Sequence, residues 1–468
     1  MIRYTFTILE EHYQTLKHLL LRDNNEFGAL LLCGRSQQVD PWAGVLEERA
    51  LVQKIVEVEE TAFLERTPVS MTWTTDALFH LAKRAMSKDL AICIAHSHPS
   101  GGLYFSPSDD ESDRESFNIV FTRMETYRSH FSLVMDDKGD VIVRAYGPDL
   151  KPHPVELIRV MGDGFRFFYK DRGNGLPGEE FDRHVRAFGS ESVQDLSQLR
   201  IGIVGCGGTG SAVANLLARL APIRLVLIDN DIVDHSNLNR LHFSKRSDAI
   251  LGRYKVDVVA ESVAEIGLVQ SVIPLRKSVE NTECRDALRA CDVIFGCTDD
   301  HQGRNLLNRL AHFYLIPVID LGLLIEPNKY GGYDSFDGRV TVVQPGRPCQ
   351  VCRQLISLQM MQEESMRRND PQVFEQHRRA GYITGGEDPN PVVVTFTSEV
   401  ASMAVNELLH RLTGFRGLNG QCSERVRRLD WVKEADSVPG GISQPDCPLC
   451  GVRKFDGRGD MTPFLNMT

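Results

Sequence analysis

Three groups of residues in this 468-residue chain have the types and spacing to do chemistry. The first is His96-Ser-His98-Pro99, followed by Ser106-Pro-Ser-Asp109. Alternate residues share a face of a strand, so two imidazoles two positions apart point the same way and can meet one cation. Asp109 then offers a third ligand, expected on a loop that returns to the histidines. Two imidazoles and one carboxylate leave the fourth zinc position open, the arrangement of a catalytic rather than a structural site. By itself a His-x-His is more often a surface or hydrogen-bonded pair.

The second group is Cys349-Gln-Val-Cys352 and Cys447-Pro-Leu-Cys450. Two CxxC pairs supply four thiolates and a closed tetrahedral zinc site, which is structural; a redox CxxC is the alternative. The third group is Gly205, Gly207 and Gly210 in LRIGIVGCGGTG, where an apolar run enters a tight turn and a helical stretch leaves it. That pattern lets the backbone approach a phosphate and points free helix amides at it. Asp229 ends the next apolar run, where a carboxylate would meet a ribose. The usual owner of such a pattern is a dinucleotide enzyme. However, Asp231, Asn237, Arg240 and Lys255 crowd the following stretch with groups that hydride transfer does not need and a triphosphate does.

The elements that must carry these groups follow from the apolar pattern. Ala29–Leu32 and Leu90–Ala95 read as strands, with Glu26 just before the first. Ile201–Val204, Leu225–Ile228, Val272–Leu275, Val293–Gly296 and Val318–Leu321 alternate with helical stretches, as a parallel or mostly parallel sheet requires. Arg304 and Asn308, four apart, share a face of one such helix. The expected class is α/β throughout. Residues 1–150 form the first domain; 151–180, rich in Pro, Gly and charge, form a linker; and 181–468 form the second domain. Within that linker, Val155–Tyr169 has the apolar residues of a strand or short helix.

The formal net charge of −10 argues against a general nucleic-acid or anionic-membrane binder. The start of the chain lacks signal-peptide character and no apolar run reaches the ~20 residues of a membrane span, so a cytoplasmic protein is expected. Eleven cysteines spread through the chain suit buried thiols and metal sites better than disulfides.

The motif of His96, His98, Ser106 and Asp109, with Glu26 upstream, resembles the JAMM (JAB/MPN) metalloprotease family over about residues 20–145. The resemblance implies a catalytic zinc on His96, His98 and Asp109, Glu26 as general base for zinc-bound water and Ser106 as hydrogen-bond donor to the oxyanion. Such enzymes cut peptide or isopeptide bonds, commonly after the terminal glycines of ubiquitin-like proteins. Residues 180–452 resemble the adenylating fold of ubiquitin-activating enzymes and their ThiF and MoeB relatives. That resemblance places the ATP ribose on Asp229, the phosphates on Arg240 and Lys255 with help from Asn237, and magnesium on Asp299 of Cys297-Thr-Asp299-Asp300. It also implies that Arg183 reaches ATP in the partner subunit of a homodimer, gives Arg304 to the nucleotide site, and makes the two CxxC pairs a structural zinc site.

One departure stands out. Met360–Pro391, expected as a mobile crossover loop over the active site, contains no cysteine, so a thioester on this chain is in doubt; Cys422 lies between the CxxC pairs. The adenylate would then pass to a sulfur donor, to a separate conjugating enzyme or to Cys422. The expected activity is cleavage of a ubiquitin-like protein followed by Mg-ATP-dependent adenylation of its Gly-Gly tail. The final residues Phe-Leu-Asn-Met-Thr lack Gly-Gly, so the expected substrate is another protein. Fusions of these two activities resemble bacterial ubiquitin-like conjugation systems, some of them defensive. The competing functions are sulfur-carrier activation for cofactor or cysteine biosynthesis and a non-catalytic module that binds such tails.

Overall fold

The structure, a computed structural model, describes residues 2–124, 126–172, 178–379, 391–417, 426–437 and 441–461. It divides into two compact units, Met1–Asn174 with Phe313–Leu315 and Phe455–Thr468, and Gly175–His312 with Ile316–Lys454. Among the described residues no helix is long and apolar enough to cross a membrane.

The first unit runs β1 (Ile2–Leu9), α1 (Glu10–Leu20), β2 (Gly28–Val39), β3 (Leu46–Glu57), β4 (Phe63–Thr67), β5 (Ser70–Trp73), α2 (Asp76–Met86), β6 (Ala91–His98), α3 (Pro107–Met124), β7 (His130–Asp136), β8 (Val141–Tyr146), β9 (Pro152–Met161) and β10 (Phe165–Tyr169). Its large sheet has the order β1-β3-β2-β6-β7-β8-β9-β10, and β1 also pairs with β9. The sheet therefore closes on itself through β9, which covers the free edge of β1 and leaves β10, paired with β9 alone, at the edge. β6 is buried on both faces, and its alternation sorts the side chains. Ala91, Cys93 and Ala95 join the core of Phe6, Leu16 and Phe131, while Ile92 and Ile94 join Leu81, Phe117 and Val120 beneath α2 and α3. His96 and His98 continue the Ile92–Ile94 row toward α3.

The expected linker at 151–180 is corrected in its first part, because β9 and β10 occupy half of it, and the stretch Val155–Tyr169 expected as a strand or short helix lies in these strands. Tyr4 pairs with Val155 and Leu9 with Met161, and Val155, Ile158 and Val160 are buried. The Pro, Gly and charge around 147–154 mark the turn before β9 rather than a boundary, whereas the division between the two units falls at Asn174/Gly175, near the end of the expected linker. The second domain is also shorter than 181–468, since the chain from Phe455 groups with the first unit. There the Asp460 amide donates to the Arg35 carbonyl at 2.8 Å, and Gln53 donates to the Gly457 carbonyl at 3.0 Å.

The second unit runs α4 (Asp182–Phe188), α5 (Ser190–Gln198), β11 (Arg200–Val204), α6 (Gly208–Leu217), β12 (Arg224–Ile228), α7 (Arg246–Leu251), α8 (Lys255–Ile266), β13 (Ser271–Leu275), α9 (Thr282–Arg289), β14 (Val293–Gly296), α10 (His301–Tyr314), β15 (Val318–Pro327), β16 (Tyr333–Val343), α11 (Leu358–Asn369), α12 (Pro371–Arg379), α13 (Val394–Thr413), β17 (Val426–Asp430) and β18 (Ala435–Ser437). The sheet order is β13-β12-β11-β14-β15-β16-β17-β18. Strands β13, β12, β11, β14 and β15 are parallel, and β16, β17 and β18 continue the sheet antiparallel. Because β12 and β14 flank β11 on opposite sides, the order reverses there and opens a crevice at the carboxyl ends of β11 and β14.

The crossover segment at 360–391 is not simply a loop. Its first part is helical in α11 and α12, where Ser357 accepts the Met360 amide as an N-cap and Pro371 sits at the first position of α12, a place where its missing N–H costs nothing. Residues 380–390 and Cys422 lie outside the described residues.

Candidate functional sites

The register of β2 against β6 builds the first site. Gly28 pairs with His96 in an antiparallel ladder, so the chain continuing backward from Gly28 runs beside Ser97 and His98. Ser97 donates its amide to the Phe27 carbonyl at 3.1 Å, and its hydroxyl accepts the Phe27 amide at 3.0 Å. Glu26 thereby lands with a carboxylate oxygen 4.0 Å from His98 Nε2. His96 Nε2 and His98 Nε2 lie 3.3 Å apart. The Asp109 oxygens lie 3.2 Å from His96 and 3.5 Å from His98. One ligand atom from each of these three residues falls within 4.8 Å of the others. This donor set and its spacing fit a zinc ion with an open position.

The site is oriented from behind. In its Nδ1–H tautomer His98 donates to the Gly102 carbonyl at 3.1 Å, leaving Nε2 for a metal. Gly102 has φ +115, and an added Cβ would lie 2.4 Å from the Tyr104 ring. Asp109 sits in the first turn of α3, not on the expected returning loop. Ser106 caps that helix: its hydroxyl accepts the Asp109 amide at 3.2 Å, and its amide donates to the Asp109 carboxylate at 2.7 Å. The Ser106 hydroxyl expected to meet an oxyanion is thus also a helix cap. Arg144 on β8 holds α3 in place through two hydrogen bonds to Asp113, at 3.0 and 2.7 Å, and lies 3.8 Å above the Phe105 ring. Burial raises the Glu26 pKa against the opposing histidines. Burial also opposes ionisation of Asp109, but the facing His96 and His98 side chains hold its pKa well below the usual carboxylate range.

In the second unit the three glycines serve different needs. Gly205 has φ +90, and its Cβ would meet the Cys297 carbonyl at 2.7 Å. The glycine turn therefore abuts the turn carrying Asp299. Gly210 would place a Cβ 1.8 Å from the Gly205 carbonyl oxygen, whereas Gly207 faces open space. Asp229 accepts the Cys206 amide at 2.7 Å and the Asp231 amide at 2.8 Å. Burial raises its pKa, with Lys255 opposing, and Lys255 pairs with Asp231 at 2.8 Å. The Arg240 stem lies beside Gly208 in the first turn of α6, and its guanidinium donates to Asn239 at 3.1 Å. Asn237 accepts the Asp234 amide at 3.1 Å.

Asp299 is exposed, while Asp300 caps α10 by accepting the Gly303 amide and the Thr298 hydroxyl. Arg304 donates to the Asp299 and Leu321 carbonyls at 3.4 Å and lies 3.5 Å from the buried Asp320, which also pairs with Arg339 at 2.9 Å. In this arrangement Arg304 ties the Asp299 turn to β15. Arg183 is exposed on α4. Away from the crevice, Cys349, Cys352, Cys447 and Cys450 place one sulfur each within 4.8 Å of the others, and the described cysteines are free thiols. Four such donors can hold a structural zinc. Asn308, expected to share a face with Arg304, accepts the Gln350 amide beside this cluster at 3.0 Å.

Residues 181–449 match the ThiF family, and residues 11–139 match the prokaryotic homologs of the JAB domain. The chain belongs to the ThiF family. It is 28% identical over 176 residues to the SAMP-activating enzyme E1 of Haloferax volcanii, covering 37% of this chain and 61% of that protein. It is 30% identical over 172 residues to the molybdopterin-synthase adenylyltransferase of Escherichia coli, covering 36% of this chain and 64% of the relative. An adenylyltransferase and sulfurtransferase MOCS3 of Bos taurus is 29% identical over 287 residues, covering 59% and 55%. The chain thus spans less than two thirds of the length of these relatives. Among solved structures, E. coli MccB with ATP aligns at a TM-score of 0.43 and 15% identity, covering 61% of this chain and 77% of that one.

Several contributors to the sites carry no sequence motif. Ser97 could have been suspected from its place between two histidines. Glu364 on α11 accepts the His301 and Gln302 amides at 2.9 Å, tying the crossover segment to the start of α10. Nothing in the local text of Asp320, Arg339, Arg144 or Glu364 announces these partners.

Proposed function

We propose that the chain is a bifunctional enzyme. Its N-terminal unit hydrolyses the bond after the terminal glycine of a ubiquitin-like or sulfur-carrier protein, and its ThiF-family unit adenylates the carboxylate so exposed with Mg-ATP. What carries this reading is the presence, in one chain, of a carboxylate beside an open three-donor group and of a glycine turn abutting an acidic turn. Zinc, when held by His96, His98 and Asp109, supplies a Lewis acid and makes water more acidic. Glu26 takes a proton from the attacking water and returns it to the leaving amine, while the α3 cap at Ser106 lies next to the developing negative charge. The four cysteines hold a second, structural zinc.

In the ThiF-family unit, Asp229 receives the ribose hydroxyls. The amides at the start of α6, with Arg240, Lys255 and Asn237, receive the phosphates, and Asp231 holds Lys255 in place. Asp299 holds magnesium, and Arg304 steadies the Asp299 turn. Arg183 of a second copy completes the site in a homodimer. The tail carboxylate attacks the α-phosphorus, forming an acyl–phosphate bond as the bond to the β-phosphate breaks and pyrophosphate leaves. The Gly-Gly tail suits this site because it has no side chains to exclude. The absence of cysteine from 360–391 and the adenylyltransferase–sulfurtransferase names among the relatives favour a second reading, in which the adenylate goes to a sulfur donor. A sulfide-dependent thiocarboxylate product would mark it.

ATP–pyrophosphate exchange tests the reading, with the purified chain and carriers supplied as mature Gly-Gly forms or with extended tails. Exchange with mature carriers should require Asp299 alone; exchange with extended carriers should require both Asp299 and Glu26. Zinc-dependent cleavage without exchange for any carrier would remove the adenylating half of the proposal.

A further inference from the structure

We infer that Arg66 is the positioning residue for Glu26, an inference that rests on the cleavage reading above for its catalytic consequence. Glu26 lies just outside β2, so the ladder that fixes Phe27 does not fix it. Both of its backbone groups are instead held by consecutive residues of β4. The Glu26 amide donates to the Thr67 carbonyl at 2.8 Å, and Arg66 Nε donates to the Glu26 carbonyl at 2.9 Å.

The rest of the Arg66 guanidinium is engaged too. Nη2 takes both oxygens of Asp23 at 2.9 and 2.8 Å, and Nη1 takes Glu60 at 2.8 Å. The group also lies 4.6 Å from the centre of the Phe27 ring. Asp23 in turn accepts the Asn25 amide at 2.8 Å, so a single planar cation joins the turn before Glu26, the Glu26 carbonyl and the neighbouring hairpin. A fork of this kind restrains orientation as well as distance, which the single point charge of a lysine does not do. With only 11% of its side chain exposed, Arg66 is screened from bulk water on most sides. Bonded to the main chain of Glu26 and to none of His96, His98 and Asp109, it acts through the placement of the Glu26 carboxylate.

Hydrogen exchange of the metal-free chain and cleavage kinetics of the zinc-loaded chain test the inference together. Arg66→Met keeps the apolar stem, and Arg66→Lys keeps the charge without the fork. In Arg66→Met the Glu26 amide should exchange about 10- to 100-fold faster, with amides of Ala29–Cys33 and Ala91–Ala95 as protected as in the parent. Arg66→Lys should fall between the two. In cleavage, kcat should drop about 10- to 100-fold, with carrier KM and zinc content unchanged. Unchanged Glu26 exchange would overturn the inference, as would a raised KM at constant kcat, which would make Arg66 a carrier contact. Faster Glu26 exchange in a chain whose parent cleaves no carrier would uphold the placement and refute the cleavage reading.

Discussion

Replacing Gly207 and Gly210 one at a time with alanine separates a glycine needed by the fold from one needed by a ligand. At Gly210 the new Cβ would lie 1.8 Å from the Gly205 carbonyl oxygen and 3.3 Å from the Cys297 side chain. The Gly205 turn cannot easily yield, because its amide is bonded to the Ile228 carbonyl at 2.8 Å and its φ is +90. Overpacking of this kind costs about 1–3 kcal/mol, so Gly210→Ala should lower the urea midpoint without any nucleotide present. Gly207 differs in each respect. It precedes α6 with φ −73, and nothing lies within 4 Å of an added Cβ, so Gly207→Ala should change stability by no more than about 0.5 kcal/mol. If the backbone at the start of α6 meets phosphate directly, that same methyl group stands in the ligand's place. The affinity for Mg-ATP by titration calorimetry should then fall at least about tenfold, equivalent to about 1.4 kcal/mol. Undiminished ATP affinity in Gly207→Ala would refute the phosphate cradle, whatever Gly210→Ala does.

Metal analysis should find about two zinc equivalents per chain, reduced to about one in both His98→Ala and Cys450→Ser. Only Cys450→Ser should also lower the melting temperature of the ThiF-family unit, since its zinc closes a structural knot while the histidine site is open; equal metal content in all three proteins would refute the assignment. His130 offers a pH test remote from any metal. Its Nδ1 accepts the Ile92 amide at 3.1 Å, and complete burial drives its pKa well below the ordinary histidine value. The unfolded chain, with a histidine pKa of about 6.5, binds this proton more readily. Stability should therefore be full above that pH and fall below it, by up to about 1.4 kcal/mol per pH unit from this residue. His130→Asn keeps an acceptor near Ile92 and should flatten the dependence between pH 6.5 and 5, at some cost in packing against Phe117 and Phe121. Parallel urea-midpoint curves for the two proteins would refute it.

The alternation of His96 and His98, the glycine turn after β11 and the two CxxC pairs are legible without coordinates because each is a short-range arrangement: a strand repeats every two residues, and a turn needs glycine where φ is positive. The parallel strands of the second unit were legible for the same reason, as apolar runs between helical stretches. The misreadings arose where local text is ambiguous. Pro and charge around 151–180 suggested a linker, yet the intervening alternation lets β9 pair with β1. The polar text after Met360 suggested a loop, yet much of it has the composition of a helix, and Glu364 gains two amides of α10 by being one.

The sequence by itself determined which donors exist and which of them share a face, since those follow from the geometry of a few consecutive residues. Only the tertiary structure decided that Glu26 reaches His98, that Arg66 holds Glu26 by its backbone, that Asp109 rides on the first turn of a helix pinned by Arg144, and that the Asp299 turn abuts Gly205. Each of these depends on strand register or helix docking between distant segments. Those are fixed by burial summed over whole elements, a quantity that no motif contains.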